Sequence, residues 1–158
     1  MIEADGETGP ATPPRVIFLD FDGVLAPIRH WDRYGDLEPA CVRVLNQIVA
    51  AGGADVVVAS TWRHGKTIAE LQAMLDAQGF AGRVLDVTPT DLAGACRGDE
   101  IAAWLGRHAV AGYVIIDDHA DMGALHAQLV QTHPAQGLQP ADVPRALALL
   151  GRAPPPPR

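Results

Sequence analysis

The stretch Val16-Ile-Phe-Leu-Asp20-Phe-Asp22-Gly23-Val-Leu25 places two aspartates directly after four consecutive apolar residues. An apolar run without alternation is typical of a strand covered on both faces, as in a parallel sheet. The two carboxylates would therefore lie at the carboxyl end of a buried strand, which is where open α/β sheets bind their ligands. This stretch predicts both a central strand and a polar site at its end.

Similar apolar runs alternate along the chain with segments of helical periodicity. Strands are predicted at residues 16–20, 55–60, 83–87 and 112–117, with a candidate fifth strand at 129–132. Helices are predicted at residues 39–51, 67–75 and 99–105, with weaker ones at 120–128 and 143–150. This alternation predicts an α/β fold, a doubly wound parallel sheet of about five strands in a three-layer α/β/α sandwich.

The length and composition of the chain favour one soluble domain. Its 158 residues, 48% of them hydrophobic, suffice for a single core, predicted over residues 15–151. Residues 1–14 are predicted to form a disordered tail and residues 152–158 a proline-rich tail. No apolar run approaches the ~20 residues that span a membrane, and the N-terminal residues do not resemble a signal peptide. With only two cysteines, Cys41 and Cys96, a reduced cytoplasmic protein without a membrane partner is predicted.

Polar residues also follow two other predicted strands. Ser60-Thr61 ends the second strand and Asp117-Asp118 ends the fourth, so four acids would gather at one edge of the sheet. Two carboxylates about 4 Å apart repel by about 4 kcal/mol at an effective dielectric constant of 20, which calls for a cation or unusual protonation. Oxygen ligands select a hard ion, so the sequence predicts a Mg²⁺ site. A lone Asp-x-Asp is often only a turn, but the ordered set favours the metal site.

These runs resemble the signatures of the haloacid dehalogenase (HAD) superfamily. Residues 18–25 are similar to its first signature, residues 56–61 to its second and residues 114–118 to its fourth. Within the superfamily the chain most resembles the small HAD domains of bacterial "Swiss army knife" RNA-repair proteins, over roughly residues 16–150. The shared features are Ser60-Thr61-Trp62-Arg63, Thr88-Pro89, Arg97, Glu100-Ile101, Trp104-Leu105 and Gly137-Leu138.

The resemblance implies a catalytic mechanism for the predicted site. Asp20 would be the nucleophile that forms an aspartyl-phosphate, and Asp22 the general acid and base. Asp22 points to phosphatase or phosphotransferase activity, since family dehalogenases lack that residue. Mg²⁺ would be held by Asp20, the backbone carbonyl of Asp22 and the acids after the fourth strand, with Asp118 favoured over Asp117 as the direct ligand.

The resemblance also implies the groups that bind phosphate. Ser60, or Thr61 beside it, would donate to the phosphoryl oxygens, together with the backbone amides of Phe21, Asp22 and Gly23. Most of the superfamily carries a lysine as its third signature, and here Arg97 is predicted to take its place. The only lysine of the chain, Lys66, follows the second signature too closely to fit.

The spacing of the signatures leaves no room for a cap domain. The 37 residues between Asp22 and Ser60 and the 35 between Thr61 and Arg97 are filled by predicted helices and a strand. An open crevice admits a phosphate at the end of a polymer or on a protein surface, whereas a small molecule would need a partner subunit to cover it. Candidate substrate contacts are Arg29, Trp31 and Arg63, although residues 27–34 could instead form a short flap and Arg63 a structural ion pair.

The predicted function is that of a Mg²⁺-dependent phosphomonoester hydrolase. Its favoured substrates are nucleotides or the terminal phosphates of nucleic acids, although the net charge of −7 argues against tight non-specific nucleic-acid binding. The alternatives are a phosphate-recognition module with vestigial catalysis, and a phosphatase or phosphotransferase for a small phosphorylated metabolite. The sequence is compatible with oligomerisation but specifies no oligomeric state.

Overall fold

The computed structural model describes residues 12–29 and 35–151. Its strands are β1 (Arg15–Leu19), β2 (Ala54–Val58), β3 (Val84–Val87), β4 (Gly112–Asp117) and β5 (Leu129–Gln131). They form one sheet in the order β3-β2-β1-β4-β5, and every neighbouring pair is parallel. The fold class and the candidate fifth strand predicted from the sequence are therefore confirmed.

Four α-helices cover the two faces of this sheet. They are α1 (Pro39–Gly52), α2 (Ile68–Asp76), α3 (Arg97–Leu105) and α4 (Val143–Leu149). Ile17 and Leu19 of β1 belong to the apolar cluster that includes buried residues of α1, α2 and α4. Val16 and Phe18, which alternate with them, belong to a second cluster with residues of α3. The alternation of side chains along β1 thus builds the two cores of a three-layer sandwich.

The strand order reverses next to β1. The chain moves from β1 through β2 to the edge strand β3, and then returns through α3 to β4 on the other side of β1. Because right-handed crossovers in opposite directions use opposite faces of a sheet, α3 lies across the sheet from α1 and α2. Leu19 pairs with Val58 and with Ile116, so the ends of β1, β2 and β4 are level. Ligands of such sheets bind at this reversal point.

Local structure departs from the sequence prediction in one segment. The helix predicted at residues 120–128 is a 3-10 helix at Gly123–Gln128, none of whose residues is buried. It begins at Gly123 with a positive φ of 56°, and it has no buried apolar side to stabilise an α-helix.

The capping box predicted for α2 is confirmed, since Thr67 Oγ1 accepts from the amide of Glu70 and Glu70 Oε1 accepts from the amide of Thr67.

No cap domain is found in the described part of the chain. The space between the first two signatures holds α1 and β2, and the space between the second and third holds α2 and β3. Within the described residues, no helix is long and apolar enough to cross a membrane. The predicted tails at 1–14 and 152–158 lie outside the described residues, except for residues 12–14.

Candidate active site

Asp20 directly follows the central strand β1. Its amide donates to the carbonyl of Ile116 at 3.1 Å, so its backbone continues the ladder with β4. The side chain is almost completely buried, with 4% of the residue exposed. Oδ1 of Asp20 accepts from the amide of Phe21 at 2.8 Å and lies 3.3 Å from Nη1 of Arg97. The carboxylate is thus held in one orientation at the reversal point of the sheet.

Arg97 is the first residue of α3 and reaches this point from the opposite side of the sheet to α1. Its Nη1 donates to Oδ2 of Asp117 at 2.6 Å, in addition to its contact with Asp20. Burial lowers the pKa of Arg97, but the charges of Asp20 and Asp117 outweigh burial and raise it above the ordinary value. Arg97 is therefore a permanent cation between two acids, in the place where the sequence predicted it.

The two acids at the end of β4 have different partners. Asp117 uses both oxygens, because Oδ2 accepts from Arg97 and Oδ1 accepts from the amide of His119 at 2.9 Å. Asp118 has a buried Oδ1 with no hydrogen-bond partner among the described residues; the nearest basic atom is Nε2 of His119 at 3.7 Å. Oδ1 of Asp118 is therefore an unused buried acceptor, whereas both oxygens of Asp117 are engaged; the choice of Asp118 over Asp117 as the direct metal ligand stays a prediction.

Among the described residues, three carboxylates converge at this point beside the guanidinium of Arg97. Side-chain oxygens of Asp20, Asp117 and Asp118 all lie within 4.8 Å of one another. Burial, and next the charge of Asp117, raise the pKa of Asp20 to about 8. Burial likewise raises the pKa of Asp118. An all-oxygen donor set with excess negative charge and a buried unpaired acceptor fits a hard divalent cation, held by Asp20 and Asp118 with Asp117 beside them.

The loop after β1 is shaped to admit Asp118. Gly23 has a φ of +78°, and a Cβ at this position would lie 2.4 Å from Oδ2 of Asp118. Oγ1 of Thr132 donates to the carbonyl of Gly23 at 2.7 Å, and the amide of Leu138 donates to the carbonyl of Val24 at 2.8 Å. The segment after β5 thus holds the loop after β1 in place. This is a structural role for Gly137-Leu138 that the sequence alone does not reveal.

Asp22, the predicted general acid and base, has a partner that the sequence analysis missed. Nε1 of Trp62 donates to Oδ1 of Asp22 at 2.9 Å. Trp62 was noted only as part of the shared pattern at residues 60–63. The sequence signal for this contact was an indole N–H donor located directly after the polar end of the second predicted strand.

The predicted phosphate-binding groups are only partly available. Ser60 is buried, and its Oγ accepts from the amide of Trp62 at 3.1 Å, whereas Thr61 is exposed. The predicted roles of the Phe21 and Gly23 amides need correction. Phe21 donates to Asp20, and the amide of Gly23 donates to the carbonyl of Ala26 at 2.9 Å because the loop turns tightly here. Among the described residues, the amide of Asp22 makes no hydrogen bond and remains the candidate donor.

Two of the three predicted substrate contacts are engaged by other groups of the protein. Arg63 is buried, and its guanidinium is taken up by backbone carbonyls and by Glu100 at 2.8 Å, so the structural alternative is the correct one. Arg29 is exposed and pairs with Glu38 at 2.9 Å. Trp31 lies outside the described residues.

Comparison with known proteins bears on this arrangement. A family model described as "HAD domain in Swiss Army Knife RNA repair proteins" matches residues 16–143, more than half of the chain. The chain belongs to this HAD family. The resemblance inferred from the sequence is confirmed. A search of curated proteins finds no match.

Membership in the HAD family gives the acidic cluster a context. The family implies a phosphatase-type hydrolase, and its members typically use a divalent metal. In this HAD domain the three acids at the ends of β1 and β4 are the described residues that fit such a metal.

Proposed function

We propose that this HAD domain is a Mg²⁺-dependent phosphomonoesterase that works through an aspartyl-phosphate on Asp20. One observation carries the proposal. A buried carboxylate at the reversal point of the sheet faces a permanent cation, Arg97, and a second acid, Asp118, that has an unpaired oxygen. With a divalent cation bound, such a set is suited to bind a phosphate dianion next to a nucleophile, because the cation and Arg97 then supply positive charge in a fixed geometry.

The proposed reaction has two steps. A carboxylate oxygen of Asp20 attacks phosphorus, and the bond from phosphorus to the leaving oxygen breaks. Asp22 gives its proton to that leaving oxygen. A water molecule then attacks the aspartyl-phosphate, Asp22 takes the proton of that water, and both Asp20 and inorganic phosphate are released.

The surroundings of Asp20 suit it to this role. Its hydrogen bond from the Phe21 amide fixes Oδ1, which leaves Oδ2 to act as the attacking atom. Arg97 favours the charged, nucleophilic form of Asp20 against the opposing effect of burial. Bound Mg²⁺ would supply positive charge that shields the carboxylates from the incoming phosphate. Arg97 would then share its guanidinium between the acids and the phosphoryl oxygens.

For substrates, we favour nucleotides or the terminal phosphates of nucleic acids. The described part of the chain holds no cap domain over the end of β1, which supports a substrate whose phosphate lies at the end of a polymer. The family to which the chain belongs is described from RNA repair proteins, which supports the same class. A comparative screen of nucleotides, 3′- and 5′-phosphorylated oligonucleotides and sugar phosphates would test it. Preference for sugar phosphates would favour the small-metabolite alternative.

The proposed activity is tested with p-nitrophenyl phosphate and Mg²⁺. We expect turnover that is abolished by Asp20→Asn and by EDTA. Asp55→Asn is a matched control, because Asp55 pairs with Arg83 on the surface at 2.7 Å and lies at the other end of the sheet. Hydrolysis that survives Asp20→Asn in a nuclease- and phosphatase-free preparation would refute the mechanism.

A second candidate function is a phosphate-recognition module without turnover. It is favoured by the internal use of the Phe21 and Gly23 amides and by the double commitment of Arg97 to Asp20 and Asp117. Calorimetry with a 5′-phosphorylated oligonucleotide separates the two functions. Saturable binding without phosphate release in any divalent ion would support the module.

A further inference from the structure

We propose that Trp62 is a positioning residue that orients the Asp22 carboxyl group and determines which of its oxygens transfers the proton. This inference rests on the proposed phosphomonoesterase function and adds to it a residue that lies outside the acidic cluster. It concerns the proton given to the leaving group rather than the attack on phosphorus.

The indole of Trp62 is held on several sides. Its Nε1 donates to Oδ1 of Asp22 at 2.9 Å. Its ring meets the buried ring of Phe21 edge to face, with centroids 5.3 Å apart at an angle of 67°. Its amide donates to Oγ of Ser60 at 3.1 Å, at the start of the 3-10 turn Thr61–Arg63. The indole N–H is therefore fixed in space before any substrate arrives.

This contact leaves the two oxygens of Asp22 in different situations. Among the described residues, Trp62 is the only hydrogen-bond partner of the Asp22 side chain. An indole N–H can donate but cannot accept, so Oδ1 must present a lone pair to it. Oδ2, which no described residue engages, is the oxygen left open toward the leaving group. Trp62 sets the direction in which that oxygen points, and correct direction is worth a large part of general acid catalysis.

The fold contains a matched pair away from the site. Nε1 of Trp104 donates to Oδ2 of Asp86 at 2.8 Å, and the Trp104 ring meets Phe18 edge to face at 5.4 Å and 80°. This pair joins α3 to the edge strand β3 and touches none of the three clustered acids. Trp104 thus shows what the same contact does when its role is structural only.

Two substrates separate positioning from structure. A p-nitrophenolate leaves without protonation, whereas the alkoxide of an alkyl phosphate such as phenylethyl phosphate needs a proton from Asp22. The parameter kcat/KM reports steps up to the transfer of phosphate to Asp20, so later hydrolysis does not blur it. We expect Trp62→Phe to lower kcat/KM for the alkyl ester by about tenfold or more, and by less than about threefold for p-nitrophenyl phosphate.

The controls make the expected pattern specific. Trp104→Phe should change kcat/KM for both esters by the same factor, and Trp62→His, which keeps a ring N–H donor, should retain most of the wild-type preference. In an Asp22→Asn background, Trp62→Phe should add no further discrimination between the esters. If Trp62→Phe does not fold, Trp62→Leu provides the same comparison.

Other outcomes overturn the inference in distinguishable ways. An equal loss on both esters for Trp62→Phe would make Trp62 merely structural while leaving the phosphomonoesterase function intact. A preference shift of the same size in Trp104→Phe would have the same meaning. Failure of the wild-type protein to hydrolyse either ester would instead refute the proposed function, and the inference with it.

Discussion

Arg63 and Arg97 are both withdrawn from solvent near the same edge of the sheet, yet they meet different kinds of acceptor. Arg63 donates to backbone carbonyls and to Glu100, and its side chain is 1% exposed. The side chain of Arg97 is 19% exposed, and within the described residues its ion pairs are with the carboxylates of Asp20 and Asp117. Fixed carbonyls use up the donors of one arginine, whereas clustered acids leave the other able to share its charge with a ligand. Burial alone therefore does not tell whether an arginine has a structural role or a ligand-binding role, but the groups that accept its hydrogen bonds do.

The two arginines are also connected through α3. Arg97 begins this helix and Glu100, the partner of Arg63, lies three residues later, about one turn along the helix. The Arg63–Glu100 pair thus anchors the first turn of α3 to the end of β2. We expect the structural arginine to hold in place the helix from which the candidate catalytic arginine projects.

The largest expected effect is a loss of stability when Arg63, the structural arginine, is replaced. Arg63→Met leaves Glu100 and several carbonyls without their donor, and we expect it to lower the free energy of unfolding by about 3–5 kcal/mol. Urea denaturation measures this loss. Arg83→Met is the control, because its pair with Asp55 is exposed and no measurable loss is expected.

A second change tests whether the loss comes from the stranded carboxylate. The double variant Arg63→Met/Glu100→Met should recover part of the stability, because apolar pairs can replace a buried ion pair. Equal stability of the single and double variants would mean that the carbonyl contacts of Arg63, rather than its ion pair, anchor α3.

The next largest expected effect is a loss of activity when Arg97, the arginine beside Asp20, is replaced. Arg97→Met should lower kcat on p-nitrophenyl phosphate by about 10²–10³, since it removes the fixed positive charge beside Asp20. Its midpoint of urea unfolding in Mg²⁺ should change less than that of Arg63→Met. Arg97→Lys should keep more activity than Arg97→Met, because it retains the charge. A fully active Arg97→Met would place Arg97 with the structural arginines.

A smaller expected effect concerns Mg²⁺ binding by the acids near Arg97, and it is tested at Gly23. Gly23→Ala should weaken Mg²⁺ binding, measured by calorimetry, because the new Cβ would collide with Asp118. The left-handed backbone adds a cost of about 1–2 kcal/mol in unfolding free energy. Gly65→Ala, with a φ of +73° and open space around it, carries the backbone cost alone. Equal Mg²⁺ affinity of both variants would contradict the proposed position of the ion.

The smallest effect concerns pH. In the metal-free protein the pKa of Asp20 is raised from 3.8 to about 8, mainly by burial and by Asp117. Between pH 3.8 and about 8, Asp20 is protonated in the folded state and ionised in the unfolded state. The stabilisation that is fully present below pH 3.8 is therefore lost as the pH rises through about 8. We expect unfolding free energy in EDTA to fall by on the order of 1 kcal/mol between pH 7 and 9.

Two comparisons check that pH effect. Mg²⁺ should stabilise the protein more at pH 9 than at pH 7, because it replaces the proton among the carboxylates. Asp20→Asn should flatten the pH dependence in EDTA, since the variant side chain does not titrate. A steeper fall in Asp20→Asn would assign the titration to another group.

The sequence was sufficient to predict the main frame of the site. Asp20 and Asp117 directly end apolar runs, and the parallel arrangement of such runs forces their ends to one edge. The places of Asp20 and Asp117 depend on chain order and periodicity, which one sequence displays. Arg97 was predicted instead from the resemblance to the HAD superfamily, at the position just before the third predicted helix.

The finer assignments depend on side-chain directions that no periodicity encodes. The difference between Asp117 and Asp118 arises because Arg97 reaches only the first of them. The contact of Trp62 with Asp22 depends on how the turn after β2 lies against the loop after β1. For Arg63 the sequence left a substrate contact and a structural ion pair open, and its contacts with backbone carbonyls and Glu100 decide for the second.

The bond from Thr132 to the carbonyl of Gly23 joins positions 109 residues apart in the chain. During synthesis Asp20 and the loop after β1 emerge early, but Thr132, which ties this loop down, emerges only after β5. A nascent chain that stops short of this strand would carry all of the first two signatures and an unrestrained loop. We therefore expect the site to mature late, so that phosphate chemistry begins only when nearly the whole domain has left the ribosome.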